Sequence, residues 1–265
     1  MPGAPVVVAS HPRSGTHLLI DVLRRQFAEC ETWKWPGERL DRLFCNIDEL
    51  GGRDGILNEA TARRILGRAE RPPVKTHAWP GYGNTFMPSH HDGLDERWIE
   101  WLDKGTVFYV YRDGRDVLCS YQLFRQKYDP TAEGPIGAFL RQERKGSSRV
   151  CRWAQHVRVW RDTSDAHPIR FERLLEDPES VIQDIGQVLK SEPLWRTPLL
   201  PRLYESIWER RWARFARVKP ESTAQMNEDR RKWQECYTRD DRQFFHDEAG
   251  DLLIELGYES SGAWV

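Results

Sequence analysis

The chain has 265 residues, with 40 Lys plus Arg against 41 Asp plus Glu and a net charge of −1, so nothing in its global charge favours nucleic acid or an anionic membrane. The length fits one large α/β domain or two small ones, no apolar stretch is long enough to span a bilayer, and the N-terminus lacks a basic region followed by a signal-type apolar core. Twelve tryptophans must supply much of the buried area, and five cysteines without a C-x-x-C pair read as reduced thiols of a cytoplasmic protein. The chain carries no internal repeat, low-complexity tract or separating linker, so residues 1–265 read as a single domain.

The first element is a short apolar run, Val6 to Ala9, followed by a tight polar loop, Ser10 to Thr16, and an apolar-periodic segment from Leu18 to about Phe27. That layout is a first βα unit, with a plain turn capped by Ser14 or Thr16 as the bland alternative. A helix starting at such a loop aims unpaired N–H groups and the positive end of its dipole into the loop. Arg13 adds a fixed cation, and Ser14 and Thr16 add hydroxyls, which together favour an anion of phosphate shape. The loop has one glycine and no lysine before Thr16, so it does not match the phosphate loop G-x-x-x-x-G-K-[ST].

Residues 30–62 are mixed, with a helix fragment and loop expected over Ile47 to Gly52 and a short helix over 59–69. Pro72 to His77 predicts a second strand ending at Lys75 and His77. Residues 78–95, rich in Gly and Pro, read as a long surface loop. Residues 96–103 read as a helix, and Thr106 to Tyr111 as a central strand buried on both faces. That strand ends at Arg112–Asp116, before a helix from about Val117. Residues 129–148 read as a loop, and Trp153, His156, Val157 and Trp160 as one core-facing helix stripe with a satisfied histidine. A fourth strand is expected over Pro168 to Phe171, a helix over 179–190, a charged helix over 200–217 and a last amphipathic helix over 239–257. Strands alternating with helices predict an α/β fold in which helices cover a central parallel sheet. Arg13, His77 and Arg112 all follow predicted strands, the end at which open α/β sheets place ligands.

These strand ends together resemble the sulfotransferases that use 3′-phosphoadenosine 5′-phosphosulfate (PAPS). Pro12-Arg13-Ser14-Gly15-Thr16 resembles their 5′-phosphosulfate loop, and Tyr111 to Val117 with Ser120-Tyr121 resembles their 3′-phosphate motif. Lys75-Thr76-His77 is similar to the segment bearing the family's catalytic histidine, and Arg170 to Pro178 to a later Y/F-E-x-L-x-x-D-P segment. The matches run in family order from about residue 6 to 258. The resemblance implies a P-loop-like three-layer domain, PAPS as sulfuryl donor with 3′-phosphoadenosine 5′-phosphate (PAP) as product, and no metal requirement. It implies donor contacts from Arg13, Ser14, Gly15, Thr16, His17, Arg112, Ser120 and Phe171, the last at an adenine-stacking position. It implies His77 as general base, with Lys75 and Arg13 stabilising charge on the transferring group and the leaving phosphate.

The sequence also departs from the pattern. Arg13 replaces a usual lysine, His17 a frequent threonine and Leu18 a frequent tryptophan, and the C-terminal R-K-G is absent, leaving Arg230, Arg231 or Lys232 as candidates for the 3′-phosphate. No dimer segment of the family's type is found, so the oligomeric state stays open. A metal site at His90-His91-Asp92 is a lesser candidate, and the basic run over Arg141, Arg144, Lys145 and Arg149 reads as a solvated or lid-like face. The expected acceptor is a small molecule, hydroxylated and largely apolar or ring-containing, because Trp33, Trp35, Phe44, Trp79, Tyr82, Phe86, Tyr121, Phe124 and Tyr128 fall near the strand ends. Two other readings are a nucleotide-dependent phosphotransferase on a related fold and a non-catalytic nucleotide-binding protein.

Overall fold

The structure, a computed structural model, describes residues 2–32, 44–50, 57–80, 96–163, 165–195 and 232–265. Five parallel strands form its sheet: β1 (Val6–Ser10), β2 (Cys45–Asn46), β3 (Pro73–Thr76), β4 (Thr106–Tyr111) and β5 (Ala166–Arg170), in the order β2-β3-β1-β4-β5. β1 is central. It pairs Val8 with Lys75 on one side and with Phe108 on the other, so the loops after β1, β3 and β4 leave the same edge of the sheet side by side. Because β3 and β4 flank β1 from opposite directions, that edge is where the winding reverses and a crevice opens.

The VVVAS run is buried at every position, which only a strand covered on both faces allows. Val6, Val8, Phe108 and Val110 face one apolar cluster with α1 (Thr16–Gln26), α7 (Phe171–Glu176) and α8 (Pro178–Leu189). Val7, Ala9 and Tyr109 face the other, with α2 (Glu59–Leu66), α3 (Glu96–Asp103), α4 (Gly114–Arg125), α5 (Ile136–Arg141), α6 (Arg149–Arg161), α9 (Trp233–Cys236) and α10 (Arg239–Glu255). Each fully buried Val, Leu or Phe contributes roughly 1.5–3 kcal/mol, so these two helix layers hold the sheet and fix its edge. This is the expected three-layer α/β architecture.

Several expectations are corrected. A fifth strand, β2, pairs with β3 through Cys45 and Asn46. Residues 129–148 are not all loop: a 3₁₀ turn spans Pro130–Ala132 and α5 spans Ile136–Arg141, starting after Pro135. Phe171 is not the end of a strand but the first residue of α7. Arg115 explains how the C-terminus is anchored. It is buried, ion-paired with Asp113 and Glu259, and lies 4.0 Å from the Trp233 ring centroid and 4.6 Å from that of Trp264. The Tyr237 hydroxyl donates to the Arg115 carbonyl at 3.2 Å, so α9 is fastened to the β4–α4 turn. The expected helix over 200–217, the His90-His91-Asp92 candidate, Arg230 and Arg231 lie outside the described residues.

Candidate active site

The loop after β1 turns sharply. Arg13 has φ 73° and Gly15 φ 108°, and the Ser14 N–H closes the turn on the His11 carbonyl at 3.2 Å. A side chain at Gly15 is excluded twice, by the left-handed φ and because a Cβ would lie 2.3 Å from the Phe171 ring. Gly15 is the N-cap of α1 and no side chain caps the helix, so the alternative of a plain turn capped by Ser14 or Thr16 is not what forms. Thr16 Oγ1 instead shares a short hydrogen bond with Ser10 Oγ. The Ser14 hydroxyl is buried with no partner among the described residues, an arrangement that costs about 1–3 kcal/mol unless a ligand hydrogen-bonds it. An uncapped helix start beside an orphaned hydroxyl suits an oxyanion.

The cations of this edge converge. The Arg13 Nε donates to Ser120 Oγ at 3.1 Å, bringing the β1 loop against α4. Arg112 stacks 4.9 Å from the Phe171 centroid and pairs with Asp116 at 3.1 Å. Burial first, and then the charge of Arg112, pulls the Arg13 pKa down. Two guanidiniums that disfavour each other, with Ser120 between the loops, fit a ligand carrying negative charge at both ends. Asp116 also accepts from the Trp233 N–H at 3.3 Å, which sets neighbouring Lys232 at this end of the site. His17 stands among the same cations: burial, then Lys75, Arg13 and Arg24, lower its pKa to about 3, so it is neutral there.

His77 follows β3 and is fixed from three sides. Its backbone N–H donates to Asp48 Oδ2 at 2.7 Å, and Thr76 Oγ1 donates to Asp48 Oδ1 at 2.7 Å. Its Nδ1 lies 2.8 Å from the Ser10 carbonyl, so Nδ1 carries the proton and Nε2 keeps its lone pair. α6 holds the backbone from behind: His156 Nε2 reaches the His77 carbonyl at 3.4 Å, and Trp160 Nε1 donates to the Ala78 carbonyl at 3.0 Å. His156 is thus the buried, satisfied histidine expected of a core stripe, with Tyr109 on its Nδ1 at 2.9 Å. Burial, and next Lys75, hold His77 well below the usual imidazole pKa, while burial lowers that of Lys75 as well.

His11, Pro12 and His77 open onto a cleft of about 480 Å³. Among the described residues Trp79 and Tyr121 are the expected aromatics that line it, whereas Tyr128 is 74% exposed and Phe124 supports Arg13 at 5.2 Å; Trp33, Trp35, Tyr82 and Phe86 lie outside the described residues. Ala78 and Leu118 add apolar wall, and the remaining lining is mostly polar and includes Arg125, Asp129, Arg144, Arg149 and Arg152. The basic run is therefore split: Arg144 and Arg149 face the cleft, while Arg141 pairs with Asp240 and Asp241. Asp48, His11 and Arg152 carried no motif. They join the site because β2, the β1 loop and the first turn of α6 meet at one edge.

The sulfotransferase domain family matches residues 96–247. Sulfotransferase 1B1 of Canis lupus familiaris is 30% identical over 203 residues, covering 70% of this chain and 58% of its own length. Sulfotransferase 1A1 of Bos taurus is 34% identical over 189 residues, covering 68% and 57%. The chain thus spans under two thirds of the length of these relatives. Mouse sulfotransferase SULT7A1, solved with PAP, superposes with a TM-score of 0.52 at 15% identity, covering 94% of this chain and 84% of its own. Retinol dehydratase, solved with androsterone and inactive cofactor PAP, gives 0.50 at 15% identity, covering 96% and 81%. Helices on both faces of a parallel sheet, with an anion-ready loop at its edge, define the class structurally. The chain belongs to the sulfotransferase family.

Proposed function

We propose that this chain is a PAPS-dependent sulfotransferase acting on a hydroxyl of a small molecule. The observation that carries the reading is the loop at Arg13–Thr16, where an uncapped helix start and a buried Ser14 hydroxyl, unpartnered among the described residues, face two convergent guanidiniums. In this reading Ser14, Gly15, Thr16 and Arg13 hold the 5′ end of the donor, His17 stands beside them, and Arg112 and Ser120 hold the 3′-phosphate. Phe171, which carries Arg112 on its ring, lies against the base. The donor supplies an activated sulfuryl group and leaves as PAP. His77 Nε2 takes the acceptor proton, and Lys75 and Arg13 stabilise the charge that develops opposite it.

The whole of residues 1–265 acts as one domain in this reading. The five cysteines, all free thiols, support a cytoplasmic location, and no helix among the described residues is long and apolar enough to cross a membrane. A thermal-shift experiment tests the donor. PAP is expected to stabilise the protein in the presence of a metal chelator, more strongly than AMP or ATP. Arg112→Ala is expected to weaken PAP by about 1.5–3 kcal/mol, the scale of hydrogen bonds to a charged group. Equal stabilisation by AMP and PAP would sink the assignment.

A further inference from the structure

The cleft in front of His77 has a charge pattern that the donor does not use. Its wall carries four arginines, Arg125, Arg144, Arg149 and Arg152, against two carboxylates, Asp129 and Glu143. Asp129 is already committed to Arg125 and to Thr131. Glu143 is exposed to solvent. Arg149 is half-buried. It lies 4.1 Å from the Phe139 centroid and 5.5 Å from that of Tyr121, and donates from Nε and Nη2 to Gln142 Oε1 at 3.0 and 2.5 Å. Gln142 is neutral, so Arg149 has no carboxylate partner among the described residues, and neither has Arg152.

The location makes this costlier. Arg149 and Arg152 sit in the first turn of α6, a 13-residue helix with no acidic residue there, capped by the Ser148 hydroxyl at 3.0 Å. Cations at a helix N-terminus oppose its dipole, where an acidic residue would be favoured. Burial lowers the pKa of Arg149, the neighbouring Tyr121 hydroxyl partly offsets this, and the charges of Arg125 and then Arg152 lower it further, so the two first-turn arginines disfavour each other. Stacking on two rings and a neutral amide orient Arg149 without discharging it. An arrangement that is repulsive when empty and prealigned at a cleft is suited to an anion.

We propose that the acceptor is a small hydroxylated acid, whose carboxylate or phosphate is held by Arg149 and Arg152 while its hydroxyl is presented to His77. The inference rests on the sulfotransferase reading for the identity of the reacting hydroxyl, and replaces the expected apolar acceptor with an anionic one. The cleft of about 480 Å³ favours a small molecule, and a polyanionic chain is an outcome of the test.

Binding to the PAP-saturated protein separates this from the donor reading. The probes are 4-hydroxybenzoate and 4-hydroxyphenyl phosphate against neutral 4-hydroxybenzyl alcohol, with a heparin fragment as a further arm, all at one ionic strength, followed by calorimetry and by turnover with PAPS. At least one acid is expected to bind roughly tenfold more tightly than the alcohol, the scale of one charge-assisted contact. In Arg149→Gln/Arg152→Gln that preference is expected to collapse to about twofold, with PAP still bound as the check on folding. Equal binding of acids and alcohol, preference surviving in the variant, binding of heparin alone, or binding of no probe would each overturn the proposal. Failure of PAP to bind, with the acid preference intact when the probes are titrated without PAP, would instead overturn the donor reading and leave the anion site standing.

Discussion

His77 shows how a single side chain is tuned by its neighbours. The Ser10 carbonyl accepts a hydrogen bond from Nδ1–H at 2.8 Å, Asp48 ties the backbone, and the fold pulls the ring pKa down through burial and then through Lys75. A base must be neutral to act, so a lowered pKa keeps it competent as the pH falls past the ordinary imidazole value. The acid limb of kcat/KM is therefore expected below pH 6.5, the value burial lowers it from. His77→Ala is expected to reduce turnover by about 10²–10⁴-fold and to leave PAP binding nearly unchanged. A rate profile with its acid limb at or above that value, or near-normal turnover in the variant at saturating acceptor, would remove His77 from the proton transfer.

At the scale of the element, the β1–α1 unit depends on one contact between layers. Gly15 accepts the Phe171 ring where a Cβ would lie 2.3 Å from it, and Phe171 in turn carries Arg112 at 4.9 Å. Gly15→Ala must therefore both strain the left-handed turn, at about 1–3 kcal/mol, and push Phe171 and Arg112 off position. PAP affinity is expected to fall at least as far as in Arg112→Ala. Calorimetry showing unchanged PAP affinity would mean that the ring does not set the donor site. Much of this unit was legible in the sequence: the VVVA run, the polar loop and the periodic segment each have a local signature. β2 was not, because two residues, Cys45 and Asn46, become a strand only by pairing with β3. The short helix α5 was hidden by the prolines and glycines around it. The polar wall of the cleft was hidden for another reason. Arg149 stood out only as part of a basic run and Arg125 and Arg152 not at all, and no local pattern shows that α4 and α6 turn all three toward His77.

At the scale of the whole molecule, the crevice edge is built by burying neutral imidazoles. His11 and His156 meet edge to face at 5.7 Å, and His156 also holds the Tyr109 hydroxyl and the His77 carbonyl. Burial first, and then the neighbouring imidazole, lowers the His11 pKa to about 3, while burial lowers that of His156 to about 4. A histidine held below its unfolded value binds its proton first in the unfolded chain. Its contribution is complete above pH 6.5 and is lost as the pH falls toward the folded value. The native state should thus lose stability on mild acidification, by up to about 1.4 kcal/mol per pH unit for each fully buried histidine, and by less for half-buried His11. His156→Gln is expected to cost stability at neutral pH, since it disturbs the Tyr109 and His77 contacts, yet to shrink the loss between about pH 7 and pH 5 by roughly 1–2 kcal/mol. Urea denaturation of both proteins at the two pH values checks this, because carboxylate titration is common to both and cancels in the comparison. Identical acid losses in the two proteins would show that His156 is protonated at no cost in the folded state, and that the core does not hold this edge neutral.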